Sequence, residues 1–409
     1  MDSLNDRLKA LGFKPAVDIK HDTKPVLLAL EIAIDGQIIE NSAGAFILKE
    51  RRFAKDYTHG LVTLHAAQQT EMINQAARIP IAQPEMGSLL FIDTETSGLS
   101  ANSGTFAFLV GVGRFDDEGF KLQQFIIRDP SEERAMLLHL SNIFTPGSIF
   151  VTFNGKSFDI PLLQSRMIIN MLPARFRDYL HMDILHLSRK LWRNQLESCA
   201  LKELETAILH LERTSEDVPG WMIPDIYFEF LRTGDPSKIS DVIYHNEQDI
   251  VSLAALFLHI SSLLESQSLE NIGTEDLIAM SRIYAEINAP DLVTKTLQTS
   301  HDRRISKDQK ARIAGLLGDH FKKSGDLNQA VVYWKEASNQ NDIYACIELA
   351  KYYEHKSLDP VSALEWALRA KILIEKDLQN VKMRRLAPLI DNRITRLERK
   401  RVKNVQAKN

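Results

Sequence analysis

The stretch SLLFIDTETSG (88–98) decides the fold, because it is a short apolar run that ends in acids and a glycine. Two more apolar runs follow it, TFAFLVGVGRF (105–115) and FKLQQFIIR (120–128). Acids and a glycine at 116–119 separate these two runs. Short apolar runs bounded by turn-forming residues are typical of strands. We therefore predict three successive strands joined by short turns.

Alternation of helices and strands continues after this point. A helix is predicted for SEERAMLLHLSNIF (131–144), a fourth strand for SIFVTFN (148–154), and a second helix near 158–170. A largely helical stretch, 178–240, leads into a long apolar-periodic helix at 239–264. Strand hairpins followed by strand–helix alternation indicate an α/β layer, here a mixed sheet flanked by helices as in ribonuclease-H-like domains.

Composition excludes several classes of protein. The 409 residues carry 50 Lys plus Arg against 54 Asp plus Glu, and a net charge of −4 argues against coating nucleic acid by bulk attraction. The two cysteines, Cys199 and Cys346, have no metal-ligand spacing, which fits a reducing compartment. The first residues lack a secretory pattern, and no stretch approaches the ~18 apolar residues of a membrane span. We expect a cytoplasmic protein without a membrane segment.

Three regions are predicted along the chain. Residues 1–84 have no clear role and contain a helix at 61–78, and residues 85–265 form the α/β domain. The polar stretch ESQSLENIG (265–273) marks a boundary. Residues 270–405 form an all-helical region.

The helical region contains a repeat. Residues 311–339 align with 343–371, and a degenerate copy lies at 274–300. Each unit is a helix, a turn and a helix, with small residues where the helices meet and aromatic residues in the groove. This arrangement resembles tetratricopeptide repeats, and the alternative is an ordinary helical bundle. A basic C-terminal helix follows, which either binds nucleic acid or an acidic partner or caps the repeats.

Two acids stand at the end of the first predicted strand. Asp93 and Glu95 lie at its carboxyl end, where open α/β sheets place their ligand sites. Alternate residues of a strand face the same side, so Asp93 and Glu95 can share one metal while Thr94 points away.

Two further motifs supply the other acids. In FNGKSFDIPLL (153–163), Asp159 falls at the start of a helix just after the fourth strand. In YHNEQDIVSLAALF (244–257), His245 and Asp249 are one helical turn apart and share a face. Asp159 could instead be only a helix cap, and each acid alone could be solvated.

Carboxylates from three elements suit hard divalent cations. Mg²⁺ and Mn²⁺ prefer oxygen ligands, and two such ions ~3.5–4 Å apart are typical of phosphodiesterases. We therefore predict two Mg²⁺ or Mn²⁺ ions held by Asp93, Glu95, Asp159 and Asp249. His245 is the candidate general base. The candidate substrate contacts are Thr94, Asn154, Lys156 and Tyr244.

The combination of DTET (93–96), NGKSFDIPLL (154–163) and HNEQD (245–249) resembles the DEDD exonuclease superfamily. Within it the chain is most similar to bacterial YprB-type ribonuclease-H-like proteins with a C-terminal tetratricopeptide region. The resemblance implies 3′-to-5′ degradation of nucleic acid, with DNA favoured over RNA. It also implies DNA repair alongside a DEAD/DEAH-type helicase, with the repeats binding a protein partner.

One departure from the family pattern concerns the base. The histidine subtype has His five residues before the last Asp, whereas His245 stands four before Asp249 and Tyr244 stands five before it. We favour His245, because imidazole titrates nearer to neutral pH and shares a helix face with Asp249.

Two other functions stay open. One is an RNA-trimming exonuclease of the ribonuclease D or oligoribonuclease type, since the treatment of the 2′-hydroxyl cannot be read from sequence. The other is an idle nuclease fold that acts as a binding adaptor through its repeats. Four clustered carboxylates disfavour the adaptor, because their mutual repulsion costs stability when no metal is bound.

Overall fold

The structure is a computed structural model that describes residues 29–65, 69–98, 104–174, 176–214 and 217–406. The N-terminal stretch on which the expected cytoplasmic location partly rests lies outside the described residues. The chain forms two compact units. The first unit comprises Met1–Ala66, Pro84–Ile184 and Leu201–Leu258, and the second comprises Ala67–Gln83, Leu185–Ala200 and His259–Asn409.

The first unit is built on a seven-stranded mixed sheet. The strands of the described chain are β1 (Gln37–Asn41), β2 (Gly44–Ala54), β3 (Thr58–His59), β4 (Val62–Thr63), β5 (Leu89–Thr96), β6 (Ala107–Asp116), β7 (Gly119–Ile126), β8 (Ile149–Thr152) and β9 (Leu180–Asp183). The order across the sheet is β1-β2-β7-β6-β5-β8-β9, and β3 pairs separately with β4. The pairs β5–β8 and β8–β9 are parallel and the others antiparallel.

The predicted α/β layer is confirmed, and its central strands match the predicted runs. Strands β5, β6 and β7 are almost wholly buried, which explains why their apolar runs are nearly continuous. The sheet also takes in β1 and β2, which belong to the region given no role in the sequence. These two strands are half-exposed, with charged residues along β2, so their sequence lacks a clear apolar pattern.

Helices of the first unit pack on both faces of its sheet. The helices of the described chain before residue 265 are α1 (Leu30–Ala33), α2 (Glu71–Ala76), α3 (Glu133–Ile143), α4 (Asp159–Ile169), α5 (Ile184–Trp192), α6 (Leu201–Leu204), α7 (Ile223–Thr233) and α8 (Ile239–Leu264). Of these, α2 and all of α5 after Ile184 belong to the second unit. A π-helical turn, Glu205–Leu209, continues α6. One core lies among Leu90, Ile92, Val110 and the helices α3, α4 and α7.

Helix α8 covers the face on which Phe91 lies. The ring of Phe91 packs edge-on against Phe257 of α8, with centroids 5.6 Å apart. Two glycines of β6 let the helix approach: a Cβ on Gly111 would lie 2.0 Å from Ile250 Cδ1, and one on Gly113 would lie 2.8 Å from Ile250 Cγ2. The backbone of β6 and helix α8 are therefore in close contact beside Asp93, the residue of β5 that pairs with Gly111.

Helix α8 is long and apolar enough to cross a membrane by length and composition alone, contrary to the expectation that no stretch would be. However, 72% of its apolar window is buried inside the protein. It is therefore a core helix, and its apolar character is explained by packing.

The helix predicted for 61–78 is wrong. Among the described residues of this stretch, Val62–Thr63 forms the short hairpin strand β4 and Glu71–Ala76 is helical, while 66–68 lie outside the described residues. Gly60, at φ +59°, makes the turn between β3 and β4, and a Cβ there would lie 2.0 Å from the backbone oxygen of Leu209. The turn is held by packing against a distant segment, which local sequence does not reveal.

The second unit is mainly a row of helical hairpins. Its helices from residue 274 onward are α9 (Thr274–Glu286), α10 (Pro290–His301), α11 (Lys307–Ser324), α12 (Leu327–Asn339), α13 (Ile343–His355), α14 (Pro360–Glu375) and α15 (Val381–Gln406). Each packs on the next along the chain, as in a repeat domain. A Cβ on Gly318 would lie 2.4 Å from Cδ1 of Trp334, so the small-residue contact predicted between α11 and α12 is present.

The basic C-terminal helix is anchored by one buried acid. Glu354 of α13, whose side chain is 0% exposed, pairs with Arg393, Arg396 and Lys400 of α15. These cations are therefore engaged within the protein, and the helix closes the row of hairpins.

Candidate functional site

The first two acids come from β5. Its carboxyl end lies at the same edge as that of the parallel strand β8, because Leu89–Phe91 pairs in parallel with Ile149–Val151. Asp93 and Glu95 face the side covered by α8, where Asp93 lies opposite Gly111 of β6. Glu95 is only 9% exposed.

The third acid stands at the N-terminus of α4. Asp159 is 6% exposed and accepts a hydrogen bond from the hydroxyl of Thr94. Thr94 faces the opposite side of the strand from Asp93, as predicted, but it does not point away from the acids, because Asp159 meets it there. Asp159 therefore meets β5 on the face of Thr94, while Asp93 and Glu95 lie on the opposite face.

The turn before α4 is held by a further acid. Asp183, at the end of β9, accepts hydrogen bonds from the backbone nitrogens of Asn154 at 2.9 Å and Lys156 at 3.1 Å. Asn154 has a left-handed φ of +66°, which this residue type tolerates. The side chains of Asn154 and Lys156 are exposed, so both are available to a substrate. Asp183 therefore shapes the turn by capping its backbone nitrogens.

Helix α8 supplies the fourth acid, the histidine and an amide. Asn246 donates from Nδ2 to Oδ2 of Asp93 at 2.8 Å. Its Oδ1 accepts from Nε2 of Gln124 on β7 at 3.0 Å, which fixes the orientation of the amide. Asp249 lies one turn further along α8, and its side chain is 19% exposed. Gln124 and Asn246 are not among the residues predicted from the sequence, although Asn246 lies within the motif HNEQD (245–249).

The two candidates for the base differ in their surroundings. His245 Nε2 lies 3.7 Å from Oδ2 of Asp249. Tyr244 instead accepts a hydrogen bond from the hydroxyl of Thr214 at 3.1 Å. Only the histidine is therefore directed at one of the predicted ligands, which supports the preference for His245.

The four acids Asp93, Glu95, Asp159 and Asp249, here called the carboxylate cluster, repel one another. Burial and the charges of Asp249 and Asp159 raise the pKa of Asp93 well above its ordinary value. Burial and the other three charges do the same to the pKa of Glu95. Burial raises the pKa of Asp159 to about 6, against the hydrogen bond from Thr94. The cluster holds more negative charge than its surroundings stabilise.

One cation of the protein reaches the cluster. Arg213 donates to Asp249, and it forms a bidentate pair with Glu205 at 2.6 Å and 2.6 Å. Its side chain is 4% exposed, and it also lies 3.2 Å from Asp217. Arg213, Glu205 and Asp217 are not among the residues predicted from the sequence. Nothing in their stretch marks them, since a charged loop usually lies in solvent.

A divalent cation fits the chemistry of these donors. Arg213 is shared between Asp249 of the cluster and two further acids, Glu205 and Asp217, so negative charge at the cluster is in excess. Within the described chain, however, no three His, Cys, Asp or Glu side chains are arranged to ligate one ion. Hydrogen bonds from Thr94, Asn246 and Arg213 engage the acids individually. The residue types fit a metal, and binding would require these side chains to shift.

Comparison with known proteins agrees with this geometry. Residues 90–261, which contain the whole carboxylate cluster, match the family model described as the RNase_H superfamily. Together with the mixed sheet, this match shows a ribonuclease-H-like fold in this part of the chain.

The similarity extends beyond that domain. The chain is 29% identical to the uncharacterized protein YprB of Bacillus subtilis (strain 168) over 368 residues. The aligned region covers 87% of this chain and 86% of that protein. A family B DNA polymerase from the hyperthermophilic archaeon Pyrobaculum calidifontis matches 56% of this chain and 29% of its own, at 11% identity and a TM-score of 0.34.

Proposed function

We propose that the chain is a metal-dependent exonuclease that removes nucleotides from the 3′ end of nucleic acid. The carboxylate cluster would hold two Mg²⁺ or Mn²⁺ ions. The observation that carries this proposal is the convergence of largely buried acids from β5, α4 and α8, with the pKa values of three of them raised. Such a group is costly to keep without bound cations.

The chemistry follows from the donors. Bound there, the cations would lower the pKa of a water and stabilise the departing 3′ oxygen. His245 would receive the proton of that water at Nε2. The resulting hydroxide would attack phosphorus, the bond from phosphorus to the 3′ oxygen of the preceding nucleotide would break, and the released 3′ oxygen would take up a proton from solvent water. The products are a nucleoside monophosphate and a strand shortened by one nucleotide.

Substrate and partners rest on resemblance. We favour DNA over RNA, a helicase of the DEAD/DEAH type as a partner in repair, and a cytoplasmic location, because the motifs resemble YprB-type proteins. The helical hairpins of the second unit are the proposed surface for a protein partner.

The test is a nuclease assay on the full-length chain. Single- and double-stranded DNA and RNA, labelled at the 3′ or 5′ end, are incubated with Mg²⁺, Mn²⁺ or EDTA. We expect mononucleotide release from the 3′ end of DNA with either metal and none with EDTA. A faster reaction on RNA would favour the trimming enzyme instead.

Two variants test the ligands. Asp159→Asn and Asp249→Asn should each lower the rate of nucleotide release by more than about a hundredfold. Replacing a residue that only orients a metal ligand already lowers metal affinity or activity about ten- to a hundredfold, and loss of a ligand itself should cost more. Asp241→Asn is the matched control, because Asp241 lies on the same helix α8, two turns before Asp249. Full activity in either ligand variant would contradict the proposal.

A second candidate is an adaptor with an idle nuclease fold. The bond from Arg213 to Asp249 favours it, because a guanidinium there partly replaces a metal ion. Calorimetric titration with Mn²⁺ separates the two functions. The exonuclease should bind Mn²⁺ and lose binding in Asp159→Asn, whereas the adaptor should not bind it.

A further inference from the structure

The segment between α6 and α7 places an acid against the candidate base. Oδ1 of Asp217 lies 2.6 Å from Nδ1 of His245. Both side chains are largely buried, with 6% of Asp217 and 14% of His245 exposed. Nothing in the sequence motifs points to Asp217, which lies outside all three of them.

The contacts of Nδ1 determine which ring nitrogen carries the proton. Nη1 of Arg213 also lies 3.4 Å from Nδ1 of His245. Nδ1 cannot accept from Arg213 and donate to Asp217 at once. The carboxylate of Asp217 can only accept, and it lies closer to Nδ1, at 2.6 Å, than Nη1 of Arg213 does, at 3.4 Å. Nδ1 therefore carries a proton and donates it to Asp217. In the neutral ring, Nε2 then holds the lone pair.

The direction of that lone pair matters. Nε2 lies on the side of the carboxylate cluster, 3.7 Å from Oδ2 of Asp249. The ring therefore lies between two acids, with its proton toward Asp217 and its accepting nitrogen toward the cluster.

Two cations lie beside Asp217. Arg213 Nη1 lies 3.2 Å from it and Lys202 Nζ lies 3.4 Å away. Burial disfavours its charge, but the hydrogen bond from His245 and the charge of Arg213 outweigh burial and hold the pKa of Asp217 below its ordinary value. A charged acceptor is the stronger partner for an N–H group and for the imidazolium that forms when the ring takes up a proton.

We propose that Asp217 is a positioning residue for His245: it holds the ring with Nδ1 protonated, so that Nε2 can take the proton of the attacking water. This inference rests on the proposed nuclease function and extends it to a residue outside the motifs. An acid that fixes a histidine tautomer is a known way to make a weak base effective.

The test combines kinetics with a spectroscopic reading of the ring. In a Mn²⁺-dependent assay on 3′-labelled DNA, Asp217→Ala should lower kcat roughly ten- to a hundredfold and leave KM unchanged. Asp217→Glu, which keeps a carboxylate, should recover part of that loss. A residue that only supports the fold would not give this rescue.

The ring is read by NMR on the full-length chain with ¹⁵N-labelled histidine. Comparison with His245→Gln identifies the His245 signals among those of the 12 histidines. At a pH where the ring is neutral, we expect a protonated Nδ1 in the wild type and a shift of the proton toward Nε2 in Asp217→Ala. This measurement needs no substrate and no metal.

Glu212→Ala is the matched control. Glu212 is exposed, lies in the same segment, and its side chain has no hydrogen bond or ion pair within the described residues. It should keep the kcat and the ring signals of the wild type. Unchanged kcat in Asp217→Ala, or a wild-type ring protonated at Nε2, would overturn the inference. If the wild type releases no nucleotides, the proposed function fails, and the ring signals alone decide whether Asp217 orients His245.

Discussion

Asn246 and Asp93 join helix α8 to strand β5 through a 2.8 Å hydrogen bond at the centre of the carboxylate cluster. Asn246 is 0% exposed. Burial is the largest effect that raises the pKa of Asp93, and the charges of Asp249 and Asp159 raise it further. The bond lowers the pKa of Asp93 against these effects. A neutral amide thus does for one acid what Arg213 does for another.

Replacing this amide should weaken both the fold and the site. Asn246→Leu removes the hydrogen bond to Asp93, while Gln124 keeps its bond to the backbone oxygen of Ile243. A buried polar group left unsatisfied costs about 1–3 kcal/mol. We expect a loss of that size in the free energy of unfolding, measured by urea titration, and weaker Mn²⁺ binding. Asn246→Gln keeps the donor at a longer reach and serves as the comparison. Equal stability of the wild type and Asn246→Leu would show that the bond is dispensable.

Adding a methyl group at Gly111 should displace helix α8. The new Cβ would lie 2.0 Å from Ile250 Cδ1 and 2.4 Å from Asn246 Oδ1, so the helix must move. Overpacking of this kind costs about 1–3 kcal/mol. We expect Gly111→Ala to lower the melting temperature and the nuclease rate together. Gly220→Ala is the control, because a Cβ there meets nothing within 4 Å. A Gly111→Ala variant with normal activity would count against close contact at this point.

Without metal, Asp159 should make the protein less stable as the pH rises. The folded state raises its pKa from 3.8 to about 6, so it binds a proton more tightly than the unfolded chain does. The stability that this group contributes is present below about pH 4 and is lost as the pH rises through about 6, up to about 3 kcal/mol.

Melting temperatures of the wild type and Asp159→Asn, measured from pH 4 to pH 7 in EDTA, check this sign. The melting temperature of Asp159→Asn should rise relative to that of the wild type as the pH increases. Mn²⁺ should stabilise the wild type more than the variant at pH 7. A difference between the two proteins that stays constant over this range would rule out a raised pKa for Asp159.

Glu354 should behave in the opposite way. The hydrogen bond from Arg396, with further help from Lys400 and Arg393, outweighs burial and lowers the pKa of Glu354 from 4.5 to about 2. Its contribution is therefore present above about pH 4.5 and is lost as the pH falls toward 2.

Glu354→Gln removes the charge that the cations of α15 share. At neutral pH it should cost about 1.5–3 kcal/mol, the range for hydrogen bonds to charged groups. Proteolysis of the C-terminal helix should become faster, while nuclease activity stays unchanged. Glu365→Gln is the control, because Glu365 is an exposed acid on the neighbouring helix α14. Equal proteolysis rates for both variants would contradict the anchoring role.

Much of the first unit could be predicted from sequence, because the signals are local. The apolar runs at 89–96 and 107–116 are buried strands, and the period of α8 identified all of Ile239–Leu264. The carboxylate cluster was found for the same reason: each acid sits beside a strand end or one helical turn from a histidine.

The parts that sequence did not predict depend on contacts between distant residues. Arg213 is a lone cation in a stretch of acids, which normally indicates a solvated loop, yet it is 4% exposed because Glu205 and Asp249 surround it. The helix predicted at 61–78 fails because Gly60 turns against Leu209. Asp249 lies 36 residues after Arg213, and Leu209 lies still further from Gly60, so no local pattern could have revealed these contacts.

The hydrogen bond from Gln124 to Asn246 also has a genetic consequence. Gln124 belongs to β7, two strands away from the acids of β5, and it contributes no carboxylate. Yet it decides which end of the Asn246 amide meets Asp93. A random screen for loss-of-function alleles should therefore recover substitutions at codon 124, although a comparison of catalytic motifs alone would treat that codon as free to vary.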